Sequence, residues 1–210
     1  MRIGVIQATS QKDKNALLYQ CTKNAVHAEA DAVVNFGVLP DEDAAVSYIE
    51  TAVCVSLLLT SGAVDFVVTG CSSGQGMMLA CNSLPGVLCG YTPTPQDAFL
   101  FGRINGGNAV SLPLGLNFGW SGEINLQCTL DKLFDGPFGT GYPPGDAARK
   151  ARDTLLLKQI NAITKRTMAE AFASYDESLI KKALSRKTVV EYIMANGTNK
   201  TVRALVGREI

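Results

Sequence analysis

Read from its amino end, the chain alternates between two hydrophobic periods. Arg2 to Ile6 alternates over a short reach, as a strand does. From about Asn15 to Ala30, Leu17, Leu18, Cys21, Ala25 and Ala28 fall on one side of a predicted helix. Asp31 to Phe36 is a second apolar strand, closed by Gly37. Pro40-Asp41-Glu42-Asp43 is rich in helix-starting residues, and the helix predicted from about Ala44 to Thr60 is apolar over most of its surface. Such a helix asks for burial on more than one side. Ser61-Gly62 ends it, and Val64 to Thr69 forms a third strand whose β-branched and aromatic residues suit burial on both faces.

That strand runs through Gly70 into Cys71-Ser72-Ser73-Gly74-Gln75-Gly76 and a helix that stops at Pro85-Gly86. A fourth strand (Val87 to Gly90), a short helix (Gln96 to Phe101), the loop Arg103 to Asn108, a fifth strand (Ala109 to Leu112) and a helix (Trp120 to Phe134) follow. Strands alternating with helices through short links predict a parallel sheet with helices on both faces, an α/β fold, because parallel strands need crossovers. Ligands of such sheets sit beyond the carboxyl ends of the strands. The segments Gln7 to Lys12, Cys71 to Gly76 and Ile104 to Asn108 are expected to converge there.

The prolines and glycines of Gly136 to Gly145 break this pattern. Residues 1–143 are read as the α/β domain and 144–210 as a helical C-terminal extension. Its elements are a long helix from about Asp146 to Phe172, a shorter one from Asp176 to Leu184, and a segment from Thr188 with capping-box spacing that stops at Asn196-Gly197. Because this is more than one small core needs, the extension is expected to pack on a partner subunit.

Charge and composition narrow the classes. With 19 basic and 19 acidic residues the formal charge is zero, which favours neither nucleic acid nor an acidic surface as partner. No apolar run approaches the roughly 18 residues of a membrane span. Lys12, Asp13 and Lys14 follow the first strand too soon for a signal peptide. The six cysteines lie singly at 21, 54, 71, 81, 89 and 128, which is neither a zinc spacing nor a disulfide framework, so a reducing cytoplasm is expected.

The chemistry concentrates at Cys71. Its loop offers backbone N–H groups at a helix N-terminus, where negative charge is favoured. A nucleotide-binding P-loop would need Lys and Ser or Thr after the last glycine, but Met77 and Met78 follow Gly76. The dinucleotide glycine fingerprint belongs after the first strand, where Gln7-Ala8-Thr9-Ser10 stands instead. A cysteine phosphatase would need an arginine where Met77 is. A Cys–His hydrolase has only His27 to draw on, inside the first predicted helix. What remains is proton abstraction next to a carbonyl by a thiolate, with backbone N–H groups of Ser72 to Gly76 and the amides of Asn105 and Asn108 as donors to the enolate. The alternative is a buried apolar cysteine in a tight turn.

The sequence Cys71 to Gly76, followed by Asn82, Pro85 and Gly86, resembles the Cys-Gly-Thr-Gly-x-Gly segment and Ala-Asn-Lys-x-x-Gly-Ile-Arg continuation of the type B ribose-5-phosphate isomerase and galactose-6-phosphate isomerase family. Asn105-Gly106-Gly107-Asn108-Ala109-Val110 is similar to that family's Asn-x-x-Asn-Val-Leu, and Val46 to Gly62 resembles its helix ahead of the cysteine strand. The resemblance spans roughly residues 1 to 150. It implies a Rossmann-like five-stranded parallel sheet and a homodimer or dimer of dimers, with active sites at the subunit interface and a long C-terminal helix crossing to the partner. The implied reaction is aldose–ketose interconversion of a sugar or sugar phosphate through a cis-enediolate, without metal or organic cofactor. Cys71 would move the proton between C1 and C2. Ser72, Ser73, Gly74, Gln75, Gly76 and Asn105 would hold the oxyanion, and Ser73 keeps the hydroxyl of the family's threonine. Gly106, Asn108 and Gln7 fall in or beside matching segments, while Arg149 and Arg152 fall near the family's phosphate-binding arginines.

Three family contacts are replaced. No Asp-His pair follows the first strand, Ile104 stands where the ring-opening histidine would be, and Leu88 stands for an arginine. A hydrogen bond to a charged group is worth about 1.5–3 kcal/mol, so the substrate is expected to differ from the family's usual ones. The same losses also suit a binding or regulatory protein that keeps the fold without catalysis. A redox-sensing thiol at Cys71 is the other alternative.

Overall fold

Strands β1 (Arg2–Gln7), β2 (Ala32–Asn35), β3 (Phe66–Cys71), β4 (Cys89–Tyr91) and β5 (Ala109–Pro113) pair into one parallel sheet in the order β2-β1-β3-β5-β4. The computed structural model describes residues 1–27 and 32–208. Helices α1 (Asn15–Ala25), α4 (Pro95–Leu100) and α5 (Gly122–Leu133) cover one face of the sheet, where Ile3, Val5, Phe66, Val68, Val110 and Leu112 are buried. Helices α2 (Tyr48–Thr60) and α3 (Gln75–Asn82) cover the other, over Ile6, Val67 and Ala109. Val67 faces one layer while Phe66 and Val68 face the other, which is why β3 reads as an unbroken apolar run.

The extension begins with α6 (Ala147–Thr164) and continues through α7 (Met168–Phe172), α8 (Glu177–Leu184), α9 (Lys187–Asn196) and α10 (Lys200–Gly207). Met168, Phe172, Ala183, Val189, Ile193, Val202 and Val206 join the core of α2 and α3. This accounts for the all-round apolar surface of α2, which the sheet buries on one side and the extension on the other. Most of the extension therefore packs in cis, on its own chain. Only α6 keeps a row of large apolar side chains in the open: Leu155, Leu156, Leu157, Ile160 and Ile163.

Some predicted boundaries shift, for local reasons. α2 starts at Tyr48 rather than near Ala44, because Ser47 and Glu50 form a reciprocal capping box there. The single helix expected over Asp146–Phe172 is two, since Thr167 and Glu170 make a second capping box that restarts the chain as α7. α5 begins at Gly122, not Trp120, and α10 lies in a stretch assigned no element from the sequence. The far end of the first predicted helix, with Ala28, and the start of the second strand at Asp31 lie outside the described residues.

One topological expectation fails. Residues 104–108 precede β5, so they lie at the amino end of the sheet, while Cys71 closes β3 at the carboxyl end. The β3–β5 register runs from Val67 beside Ala109 to Cys71 beside Pro113, a span of about 13 Å at strand rise. Within one chain the loops of Cys71 and Asn105 do not converge. Among the described residues, no helix is long and apolar enough to cross a membrane.

Candidate active site

β3 delivers Cys71 half-exposed at the carboxyl edge, directly before the first turn of α3. The Gly74 N–H donates to the Cys71 sulfur at 3.2 Å and to its carbonyl at 3.2 Å, folding the loop back over the thiol. Gly74 has φ +77°, and a β-carbon there would lie 2.6 Å from Tyr91 Cε2 and 3.0 Å from the Leu112 backbone. Only glycine fits. The next N–H groups, at Gly76 and Met77, open α3 and have no intrahelical acceptors, so they are available to negative charge.

The loop is fastened on three sides. Leu114 N–H donates to the Cys71 carbonyl at 2.9 Å, and Gly115 and Leu116 N–H donate to the Ser72 carbonyl at 3.0 and 2.7 Å. Ser111 Oγ donates to the Gly74 carbonyl at 2.6 Å. From the turn after β1, Gln11 Nε2 donates to Ser72 Oγ at 2.8 Å. Ser73 Oγ accepts from Gln75 N–H at 3.3 Å, a local bond that caps the loop.

Tyr48 is the residue that sequence reasoning missed. It is the first residue of α2, 44% exposed, and a β-carbon on Gly76 would lie 3.7 Å from its ring and 4.0 Å from the Cys71 sulfur. Ring and thiol thus share one small space above Gly76. The only local signal was the Ser47-x-x-Glu50 capping box, which fixes where α2 begins and hence where Tyr48 points. The residues that pack on the Ser72–Gly74 loop also border a cavity of about 320 Å³ (Tyr91, Leu112, Pro113) and one of about 390 Å³ (Gln11, Leu114, Gly115).

Two expected site residues bond within the fold. Gln7 is buried: its Nε2 donates to the Val38 carbonyl at 2.8 Å and its Oε1 accepts from Asn15 Nδ2 at 2.9 Å. Asn15 also bonds Asn35, so an amide cluster occupies the carboxyl end of β1 where a substrate contact was expected. Asn108 bridges the backbone of the turn before β4, accepting from Leu88 N–H at 2.8 Å and donating to the Gly86 carbonyl at 2.7 Å. Gln7 is thereby closed to a ligand, whereas Asn108 commits one donor and one acceptor to backbone and still borders a hollow at the amino end of the sheet. His27 is exposed, beyond the end of α1.

Asn105 lies at the amino end of the sheet, and Arg149 and Arg152 lie on α6, the helix fastened to the turn that carries Asn105. Asn105 is exposed at the end of a π-helical turn (Phe101–Asn105) that continues α4, and Gly106 follows at φ +51°. Thr154 of α6 donates its hydroxyl to the Ile104 carbonyl, fixing α6 on that turn. Arg149 is half-exposed and pairs with Asp153 at 3.2 Å and Asp146 at 3.5 Å, while Arg152 extends into solvent. A hollow of about 830 Å³ lies nearby, between Asn108, Lys165 and Val202, away from the thiol. Lys165 is engaged there with the carbonyls of Leu84 and Val87, both at 3.0 Å, and burial pushes its pKa down.

Three other thiols, all buried, are held above the ordinary thiol range. Complete burial pushes Cys54 up to about 12. Cys89 is also raised, by the neighbouring Cys81 and by burial, and burial raises Cys21. Among the described residues, no group of His, Cys, Asp and Glu is arranged to hold a metal ion.

No curated protein matches the chain. Among solved structures, a 4-deoxy-L-threo-5-hexosulose-uronate ketol-isomerase complexed with a tartrate is 37% identical over 100% of this chain and 99% of its own, with a TM-score of 0.94. A ribose-5-phosphate isomerase from Vibrio parahaemolyticus is 36% identical over the same shares, also at 0.94. The type B ribose 5-phosphate isomerase of Trypanosoma cruzi, 21% identical with a TM-score of 0.64, spans 78% of this chain and 99% of its own and shares the fold. The family model described as Ribose/Galactose Isomerase matches residues 9–120. With that match, full-length relatives above a third identity and the five-stranded parallel sheet, the chain belongs to the ribose/galactose isomerase family of sugar isomerases.

Proposed function

We propose that the chain is an aldose–ketose isomerase in which Cys71 moves a proton between adjacent carbons of an open-chain sugar. The observation that carries this reading is the Cys71 thiol set under the Gly74 N–H, beside Tyr48 and at the first turn of α3. A thiolate there removes the proton from the carbon next to the carbonyl. The enediolate oxygen is held by N–H groups opening α3, with Ser72, Ser73 and Gln75 at the rim; the hydroxyl proton passes from one oxygen of the enediolate to the other, and the thiol returns its proton to the neighbouring carbon. Backbone donors fixed in place cost no reorganisation when charge develops, and one such donor is worth about 3 kcal/mol of transition-state stabilisation.

For the substrate we favour a keto sugar acid, with a carboxylate in place of a phosphate. Ile104 supplies no group to open a sugar ring and Leu88 no charge for a phosphate, while a relative at 37% identity is a ketol-isomerase of a hexosulose-uronate. The comparably similar ribose-5-phosphate isomerase makes ribose 5-phosphate the competing substrate.

The separation of the two residue groups carries a further part of the proposal. Asn105, Arg149 and Arg152 serve the Cys71 loop only if a second copy presents them, as the family resemblance implies. The exposed apolar row of α6 is the surface for that copy to cover.

Incubation with 4-deoxy-L-threo-5-hexosulose-uronate and, separately, ribose 5-phosphate in deuterated water tests the reading. Turnover with solvent deuterium entering the carbon beside the carbonyl, abolished in Cys71→Ala, is the expected result. Unimpaired turnover by Cys71→Ala would refute it. Thermal stabilisation by either compound without turnover would favour the binding-protein alternative that Ile104 and the buried Gln7 also suit.

A further inference from the structure

The segment between β2 and α2 leads directly into Tyr48 beside the thiol, and its middle is largely exposed. Leu39, Pro40, Asp41, Asp43 and Ala45 face solvent. At its far end Thr9 holds it: Thr9 N–H donates to the Val46 carbonyl at 3.0 Å, and Thr9 Oγ accepts from Val46 N–H at 2.8 Å. Gln7 Nε2 on the Val38 carbonyl at 2.8 Å, Lys12 Nζ on the Glu42 carbonyl at 3.4 Å and Thr9 Oγ on the Ala44 carbonyl hold its middle, and a further set of bonds comes from the other end of the sequence. Arg186, in the joint between α8 and α9, is 8% exposed. Its guanidinium donates to the Phe36 carbonyl at 3.1 Å, to the Gly37 carbonyl at 2.9 Å and to Glu42 Oε2. Glu42 returns its other oxygen to Leu39 N–H at 3.1 Å, closing the turn on itself.

All of these Arg186 acceptors lie on one seven-residue piece of chain, residues 36–42. A buried ion pair is weak support for stability, since replacing it by well-packed apolar groups is often neutral or stabilising. A guanidinium, however, presents donors in a rigid fork, so engaging two successive carbonyls and a carboxylate fixes the direction of the segment as well as its position. The carbonyls it holds flank the Asn35–Gln7–Asn15 amide cluster, where a β-carbon on Gly37 would meet Gln7 Oε1 at 1.9 Å.

We propose that Arg186 is a positioning residue of the Cys71 site: the C-terminal extension reaches back through it to set the 36–47 segment and thereby the placement of Tyr48 against the thiol. The proposal rests on the Cys71 loop being the reactive centre, and its test does not need turnover. Iodoacetamide labelling read by peptide mass spectrometry gives the rate at Cys71 relative to exposed Cys128 on α5, an internal standard. In Arg186→Ala the ratio is expected to change by about threefold or more, because thiol reactivity follows access and local environment. Arg186→Lys keeps the charge without the fork and falls between wild type and Arg186→Ala. Glu42→Gln, which removes the anionic partner alone, shifts the ratio in the same direction. Val190→Ala, a packing loss in the same extension, leaves it unchanged.

A folded Arg186→Ala with the wild-type ratio overturns the proposal, as does a shift of equal size in Val190→Ala. If Arg186→Ala does not fold, Glu42→Gln decides, and an unchanged ratio there overturns it. Should neither sugar substrate be turned over, the isomerase reading fails while the labelling ratio still reports on Arg186. Where turnover is found, kcat is expected to fall in Arg186→Ala in step with the labelling change.

Discussion

Cys71, Gly76 and Tyr48 meet in one small space, and their sequence signals differ in kind. The thiol and its glycines are read directly, because glycines straight after a strand mark where the backbone turns through positive φ or is closely approached. Tyr48 is placed by a loop of a dozen residues and by its approach to Gly76 on α3, which no local pattern encodes. Gln7 fails as a substrate contact for a related reason: its buried amide is satisfied by the buried Asn15 and by the Val38 carbonyl rather than by a ligand. At Gly74, the positive φ and the 2.6 Å approach to Tyr91 make Gly74→Ala costly. We expect it to lower stability by about 1–3 kcal/mol, read as a lower denaturant midpoint. The thiols separate just as plainly. Iodoacetamide at mildly alkaline pH is expected to label Cys71 and Cys128 and spare Cys54, Cys81 and Cys89, which are buried.

For whole elements the hydrophobic period carries most of the information. All five strands were legible because each is a short apolar run between turn residues, and β3 in particular is buried on both faces. Helix boundaries were set instead by capping groups at Ser47 and Thr167 that outweigh the apolar period. The destination of α7–α10 was not legible, since an amphipathic helix does not announce whether its partner is its own chain or another. The structure places them on α2, so Ile193→Ala, which empties a fully buried position, is expected to cost about 2–5 kcal/mol in a thermal or urea melt. The Arg186–Glu42 link gives this docking a pH dependence. The hydrogen bond from Arg186 holds the Glu42 carboxyl below the usual carboxylate range. Its contribution is then complete above the unfolded value, about 4.3, and disappears as pH falls through the lower folded value. Between about pH 5 and pH 3 the melting temperature of wild type is therefore expected to fall more than that of Glu42→Gln, with the two converging at the acid end.

On the scale of the whole molecule, one chain carries two groups of polar residues at opposite ends of a single sheet. The sequence motifs around Cys71 and Asn105 agree with the family in content and order, but spacing along a chain does not say which end of a parallel strand a loop occupies. The residues before β5 and after β3 are separated by the length of the strands between them. The twofold dimer proposed above resolves this, because in it each copy contributes its carboxyl-end loop to one site and its amino-end group to the other. A complementation experiment separates that arrangement from a site built within one chain. Cys71→Ala and Arg149→Ala, each expected to be inactive alone, are mixed, unfolded and refolded together. With shared sites, half of the dimers are hybrids, and each hybrid has one site with both defects and one with neither. The mixture should then recover about a quarter of wild-type turnover. With sites built inside one chain, every site in the mixture carries one defect and no activity returns. Ile163→Glu, which puts a charge in the exposed apolar row of α6, should lower the oligomeric state in light scattering and abolish turnover together. A monomer of undiminished turnover would place the whole site within one chain, and the amino-end group would then have no part in the reaction.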